Sequence, residues 1–280
     1  MFTGVAGDRA RARLAGTRFA DVRWVPETGS TNADALALAR DGEPEGIVVV
    51  ADHQTAGRGR RDRRWEAPPG ASLLVSILLR PPTRVLSCAS MAVSVAAAEA
   101  VEEVAGAQVH LKWPNDLVWP GDGSAPDRKL AGILAEADWP PGSDIASGPR
   151  QPGPNERAVV VVGIGLNVEW PDELPADLAD IAVALNHIVG RPVDREDLLV
   201  ALLEHLDRHD RQLRDAGPAG LLTVWRERSA TLGRRVRVDL GADDIVGKAV
   251  DVTDEGHLVV QTDEGERRTI AVGDVVHLRV

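Results

Sequence analysis

The strongest constraint on the fold lies at the end of the chain. Residues 234–240, 245–252, 257–262, 267–272 and 275–280 are five short runs of alternating character. Gly241, Asp254-Glu255-Gly256 and Asp263-Glu264-Gly265 supply the turns between them. Runs this short, apolar on one side only, reach a buried core by curling into a small β-barrel. Upstream the texture differs: β-branched runs alternate with longer Ala- and Leu-rich stretches of helical spacing. The expected organisation is therefore α+β, with a main domain over residues 1–230 and a barrel over 231–280, changing near Ser229–Gly233. No internal repeat or coiled-coil heptad is visible.

Within the first domain, Ser30-Thr31-Asn32-Ala33-Asp34 opens a helix that runs to about Arg40 and stops at Asp41-Gly42. Ser, Thr and Asn are the residue types that cap a helix start, which is one sufficient account of this motif. Ile47 to Ala51 is a β-branched strand that feeds a loop from His53 to Trp65. Ser72–Leu79, Val109–Lys112, Leu130–Glu136 and Ala158–Asn167 read as further strands. The last two are expected to be antiparallel neighbours joined by a Pro/Gly-rich loop over 139–157. Ser87–Val104 reads as a helix of small residues suited to a sheet face. A long helix follows from Asp194 through Leu198, Leu202, Leu206 and Leu213, with Asp197 three residues beyond its cap; a shorter one spans Pro218–Arg228. Residues 1–23 suggest a short helix or a frayed end.

Hydrophobic content of 44% supports a packed core, and a net charge of −11 opposes general affinity for nucleic acid or anionic membrane. The single cysteine, Cys88, rules out an intramolecular disulfide and fits a reducing compartment. With no charged-then-apolar leader and no run of about 18 apolar residues, the expectation is a cytoplasmic protein.

The chain has no phosphate-loop signature, no Gly-x-Gly-x-x-Gly opening a helix and no Gly-x-Ser-x-Gly elbow. Its histidines show no metal spacing, and Cys88 falls inside a helix. Chemistry is left to arginine, lysine, carboxamides and main chain. Five arginines crowd residues 58–64. That segment reads as a solvated charged loop, as a nucleic-acid patch, or as a polyanion clamp in which glycines admit the ligand and arginines bond phosphate. The acidic whole and the absence of interleaved aromatics weigh against the second. Lys112-Trp113-Pro114-Asn115-Asp116 ends a strand with a cation, a rigid turn, a carboxamide and a carboxylate. Lys129 opens a strand, and Gly163-Ile164-Gly165-Leu166-Asn167 closes one, its glycines marking a bulge or a close ligand approach.

Taken in order, Ser30-Thr31-Asn32, Gln54, Gly57-Arg58-Gly59-Arg60-Arg61 with Trp65, Lys112–Asp116, Lys129–Leu134 and Gly163–Val168 resemble the biotin protein ligase family. The resemblance implies a catalytic domain like that of class II aminoacyl-tRNA synthetases, a mixed or antiparallel sheet with helices, followed by an SH3-like barrel. It implies two steps: biotin and ATP give biotinyl-5′-AMP, and the biotinyl group then passes to a lysine on the biotin carboxyl carrier domain of a carboxylase. Lipoate or octanoate attachment by the same fold is the alternative. By the same resemblance, Lys129, Arg60 and Lys112 are the catalytic candidates. Ser30, Thr31, Asn32, Gln54, Gly57, Arg58, Gly59, Arg60, Lys129 and Gly132 would hold biotin. Arg58, Arg61, Trp65, Asn115, Lys129 and Asn167 would hold the nucleotide, and Asp116 would sit beside Mg2+.

Two features depart from the family pattern: Asp62 stands where a glycine or small residue is usual, and the stretch 139–157 is longer than the usual hairpin. Too few residues precede Ser30 for the helix-turn-helix of the bifunctional members, so the resemblance implies a monofunctional ligase without repressor function.

Overall fold

The β-branched runs form a seven-stranded mixed sheet, here described from a computed structural model covering residues 6–121, 125–138, 153, 155–241 and 244–278. The side chain of Asp62 and residues 139–152 of the expected insertion lie outside the described residues. The strands are β1 (Val22–Thr28), β2 (Val48–Gln54), β3 (Ser72–Leu79), β4 (His110–Lys112), β5 (Asp116–Trp119), β6 (Arg128–Asp138) and β7 (Val159–Asn167), in the order β1-β2-β3-β7-β6-β5-β4. Only the β1–β2 pair is parallel; β6 and β7 are antiparallel neighbours, as their sequences imply. The helices are α1 (Asp8–Leu14), α2 (Thr31–Arg40), α3 (Ala89–Ala105), α4 (Leu185–Val189), α5 (Arg195–Ala216) and α6 (Ala219–Glu227).

Period-two alternation assigns the two faces of the sheet. Leu73, Val75, Ile77 and Leu79 of β3, with Val160, Val162, Ile164 and Leu166 of β7, join one core with α3 and α5. Leu78 of β3 and Val159 and Val161 of β7 point the other way, under Ala35, Leu36 and Ala39 of α2. Helix α2 covers only part of that second face, and the remainder is open ground. Residues 83–105 are apolar enough, by length and composition, to cross a membrane, against the expectation that no such run exists. The segment is largely buried between the sheet and α5, so it is accounted for as a core helix.

Several elements run differently from the sequence expectation. Strand β1 was hidden by Pro26, which argues against a central strand; β1 lies at the sheet edge, where a missing N–H costs no ladder bond. Strand β2 extends three residues past Ala51, so His53 and Gln54 stand on a strand end rather than in the loop. Lys112 to Asp116 is the turn of a hairpin, Lys112 pairing with Asp116, because Leu117 and Val118 are buried in a fifth strand.

The C-terminal strands are β8 (Arg235–Asp239), β9 (Asp244–Val252), β10 (Leu258–Thr262), β11 (Arg267–Ile270) and β12 (Asp274–His277), all antiparallel, in the order β11-β10-β9-β8-β12. The approach to this domain is itself bonded to edge strand β4: Leu111 N donates to Arg228 O, and Ala230 N to Leu111 O. Trp113 Nε1 donates to Gly256 O at 3.0 Å, and Cys88 Sγ to Asp254 O at 3.3 Å.

At the opposite side, α5 begins at Asp194, whose carboxylate accepts from the amides of Glu196 and Asp197 and from Arg9 of α1. Deeper in the same helix, Asp210 is 2% exposed between Arg18 Nη1 at 2.5 Å and Arg214 Nε at 2.6 Å. Arg214 continues to Glu45 at 2.8 Å. One carboxylate thus ties the N-terminal segment, α5 and the turn before β2. Asp210→Ala removes the shared acceptor but leaves Arg18 with Asp207 at 2.9 Å and Arg214 with Glu45 at 2.8 Å. It should therefore cost about 1.5–3 kcal/mol, against about 1 kcal/mol for the cap substitution Asp194→Ala. Urea unfolding of both variants checks the difference, and equal losses would show that Asp207 and Glu45 take up the two guanidiniums in full.

Candidate active site

The open part of the second sheet face is floored by residues that lack side chains. Along one cross-strand row, Leu74, Gly165, Gly132 and Asp116 are partners on β3, β7, β6 and β5. A Cβ on Gly165 would lie 2.5 Å from the Trp65 ring, and one on Gly132 would lie 2.9 Å from it. The indole therefore rests directly on the glycine pair. One row along, a Cβ on Gly163 would stand 2.1 Å from Asn32 Oδ1. The sequence suggested a bulge or a ligand at these glycines; here they make room for Asn32 and Trp65.

Asn32 is consumed by the scaffold. Its Nδ2 donates to Glu136 at 2.7 Å and to Leu134 O at 3.3 Å, while Ser76 Oγ lies 2.5 Å from its Oδ1. The capping account of Ser30-Thr31-Asn32 changes with it. Ser30 occupies the N-cap position without a side-chain cap bond. Gln54 Oε1, from the end of β2, accepts instead from Thr31 N at 2.8 Å and Thr31 Oγ1 at 3.0 Å. Ser30 and Gln54 both stand on the cavity wall. Ser76 and Glu136 were missed in the sequence, since each looks like an ordinary strand residue.

Residues 57–65 form a closed loop. Trp65 N donates to Gly57 O, Gly59 N donates to Arg63 O at 2.6 Å, and Arg58 bridges Arg64. Arg61 adopts φ 53°, the only left-handed non-glycine among the described residues, at a cost on the order of 1–3 kcal/mol. The reading of this segment as a solvated charged loop is corrected, because most of its arginines have partners in the chain. Arg58 reaches Glu136 at 3.0 Å, Arg60 lies 3.3 Å from Asn115 Oδ1, and Arg60, Arg61 and Arg63 all face the C-terminal domain at Asp274. Burial disfavours the charge on Arg60, and Asp274 offsets that in part.

Lys129 Nζ makes an ion pair with Asp116 at 2.6 Å and sits 5.5 Å above the Trp65 ring, an arrangement worth about 0.5–2 kcal/mol. Asp116 thus holds a lysine, and among the described residues no cluster of three His, Cys, Asp or Glu could hold a metal. Lys112 also reaches the cavity. Behind it, burial first and the Lys112 charge second hold His277 at about 4, keeping the ring neutral beside Arg234 and Asp127.

Much of this set borders one cavity of about 660 Å³, the size of a small-molecule site. Of the site residues expected from sequence, Ser30, Thr31, Asn32, Gln54, Arg58, Gly59, Arg60, Trp65, Lys112, Asn115, Asp116, Lys129, Gly132 and Asn167 border it. Gly57 and Arg61 do not. Gly57 lies under the loop, where a Cβ would meet Trp65 O at 2.3 Å, and Arg61 is turned toward Asp239. Asn167 is buried with its amide used, accepting from Ser72 and donating to Val183 O. The far wall, Asp177 to Ala182, carried no sequence signal.

Comparison with known proteins decides the family. Residues 26–138 match the Biotin/lipoate A/B protein ligase family, and residues 231–278 match the Biotin protein ligase C terminal domain. The chain is 38% identical over 274 residues to a Mycobacterium tuberculosis biotin–[acetyl-CoA-carboxylase] ligase, covering 95% of this chain and 92% of that one. The chain belongs to the biotin protein ligase family. A second relative, the biotin–[acetyl-CoA-carboxylase] ligase of Paracoccus denitrificans, is 33% identical across 89% of this ligase and 97% of its own length. Among solved structures, the Aquifex aeolicus biotin protein ligase in complex with biotin and ATP superposes with a TM-score of 0.73 at 27% identity, over 94% of this chain and all of that one. The biotin reading stands over the lipoate or octanoate alternative, and the catalytic fold with its SH3-like second domain is that of the family.

Gly165→Ala tests the indole seat. The added methyl must displace Trp65, so amide exchange at Trp65 and Gly59 should rise by about tenfold or more in the free ligase, with the sheet amides unchanged. Unaltered exchange would mean the indole does not depend on the bare strand.

Proposed function

We propose that this ligase joins biotin to ATP in the cavity and then hands the biotinyl group to a protein lysine. The observation that carries the reading is the polarity of the cavity. At one end Ser30, Thr31 and Gln54 offer hydrogen-bonding groups, with Arg58 beside Asn32 on the shared Glu136 carboxylate. The middle is floored by glycine under Trp65, and Lys129 and Arg60 gather with Asp116 and Asn115 at the β5 end. The polar end suits a ureido ring, the indole face suits an apolar tail, and the Lys129 and Arg60 cations suit a carboxylate meeting phosphate.

In the first step a biotin carboxylate oxygen attacks the α-phosphorus of ATP, a P–O bond to pyrophosphate breaks, and biotinyl-5′-AMP forms. Two anions approach each other, so cations aimed at the developing charge lower the barrier, each by about 3–4 kcal/mol. We assign this role to Lys129, which strand β6 and its ion pair with Asp116 hold at the cavity, and to Arg60 from the loop above. Mg2+ enters on the ATP phosphates as part of the substrate. Asp116, ion-paired with Lys129 through Oδ1, keeps its second carboxylate oxygen as the proposed neighbour of that Mg2+.

In the second step a neutral lysine amine attacks the acyl carbon, the amide forms, and AMP and a proton leave. The anhydride is already activated, so an acyl-enzyme is unnecessary. Cys88 agrees, being buried away from the cavity with its thiol pushed up by burial. The acceptor we propose is the biotin carboxyl carrier domain of a biotin-dependent carboxylase, in keeping with the names of both relatives, and the compartment is the reducing cytosol. Exchange of labelled pyrophosphate into ATP that requires biotin and ignores lipoate tests the reading; exchange without biotin dependence overturns it.

Lys129→Ala should lower that exchange by at least about a hundredfold with the melting temperature preserved, since the charge is needed only where the anions meet. Near-normal exchange in a folded variant would remove Lys129 from the chemistry.

Arg60→Gly should separate the two steps. Losing a lid contact acts mainly on the off-rate, so biotinyl-AMP should escape and acylate lysines of an unrelated bystander protein. Bystander labelling assigns Arg60 to retention; lost exchange without labelling assigns it to the first step.

A further inference from the structure

In the second domain, Asp239 of β8 and Asp274 of β12 are direct cross-strand partners. Like charges placed opposite one another weaken a sheet, so the pair requires a cationic neighbour. The arginine loop supplies it. Arg63 Nη2 donates to Asp274 at 2.7 Å, Arg61 Nη1 lies 3.3 Å from the Asp239 carboxylate and 3.5 Å from that of Asp274, and Arg61 Nη2 donates to Asp239 O at 2.9 Å. Arg60 is held differently. Its three contacts, to Asn115 Oδ1, Gly273 O and Asp274, are all long, at 3.3, 3.3 and 3.7 Å.

We infer that Asp274 is a positioning residue: with Asp239 it is the latch by which the C-terminal domain holds the arginine loop over the cavity and presents Arg60 to the substrate. The outer arginines carry the hold. Arg63 makes the short bond, and Arg61 is kept in its left-handed conformation, which persists only where surrounding contacts over-determine it. Arg60, under the same carboxylate but loosely bonded, can exchange its protein acceptors for a phosphate or carboxylate oxygen while the loop stays anchored. The latch stands on the contacts of Arg61 and Arg63; the presentation of Arg60 rests on the proposed function. Asp274 borders the cavity beside that guanidinium. It acts through Arg60.

The test uses the full chain carrying Asp274→Asn, Asp274→Glu or Asp239→Asn. Without ligand, tryptic cleavage mapped to residues 58–64 should be about fivefold or more faster in Asp274→Asn than in the parent, intermediate in Asp239→Asn, and restored in Asp274→Glu. Raising NaCl to about 0.5 M should move the parent toward the Asn variant, since partly exposed ion pairs are screened. With ligand, Asp274→Asn should release biotinyl-AMP about tenfold faster and raise the KM for ATP more than it lowers kcat, and Asp274→Glu should recover both. Parent-like cleavage and release in Asp274→Asn overturns the latch. So does equal impairment of the Asn and Glu variants with a lowered melting temperature, which would mark Asp274 as a packing residue. Cleavage in the free protein needs no substrate. A parent that protects the loop yet fails biotin-dependent exchange therefore overturns the functional reading and leaves the latch standing.

Discussion

Everything at the site is arranged around a pair of strands with no side chains where they meet. Gly165 faces Gly132 across the ladder, and the indole of Trp65 takes the space that two Cβ atoms would fill. From that seat follow the position of the loop's C-terminal end, the height of Lys129 over the ring, and the way Asp116, next in the row, meets the Lys129 ammonium. The indole Nε1 is buried without a hydrogen-bond partner among the described residues. An unmet donor of this kind costs about 1–3 kcal/mol, a cost the seat on the two glycines has to offset.

The electrostatics resolve an apparent contradiction in the composition. A chain of net charge −11 carries five arginines within residues 58–64, and the acidic excess is what makes such a loop tolerable. Glu136, Asp274 and Asp239 each answer one or more of those guanidiniums. The loop is not freely solvated. It is a cationic surface folded against carboxylates, and the anions it is suited to meet have to compete with them.

The fold was largely legible because periodicity reports local geometry. The strands from Ser72–Leu79 and Ala158–Asn167, the helices from Thr31 and Asp194, and five C-terminal strands all follow from spacing, caps and turns. Strand β1 was not, because Pro26 signals a break unless the strand is known to lie at an edge. Strand β5 was hidden in a short run after a strong turn motif. At the site, the residues with unusual chemistry stood out and their roles in the scaffold did not. Asn32 looked like a cap and is a wedge against Gly163; Asn167 looked available and has spent its amide. The partners of the arginine loop were illegible for a simpler reason. Asp274 is separated from Arg63 by more than two hundred positions, and an aspartate opening a short strand looks like surface.

The bonding of the interdomain segment to β4 has a mechanical consequence. Arg228, Ala230 and Leu111 exchange main-chain bonds, Trp113 and Cys88 donate into the C-terminal turn at Asp254 to Gly256, and the apolar cores of both domains form one cluster. The junction therefore works as a weld. A swing of the small domain would tear an edge ladder and open a continuous core. Relative motion at the site therefore falls to the nine-residue loop over residues 57–65, and the small domain stands as the fixed post against which that loop bends.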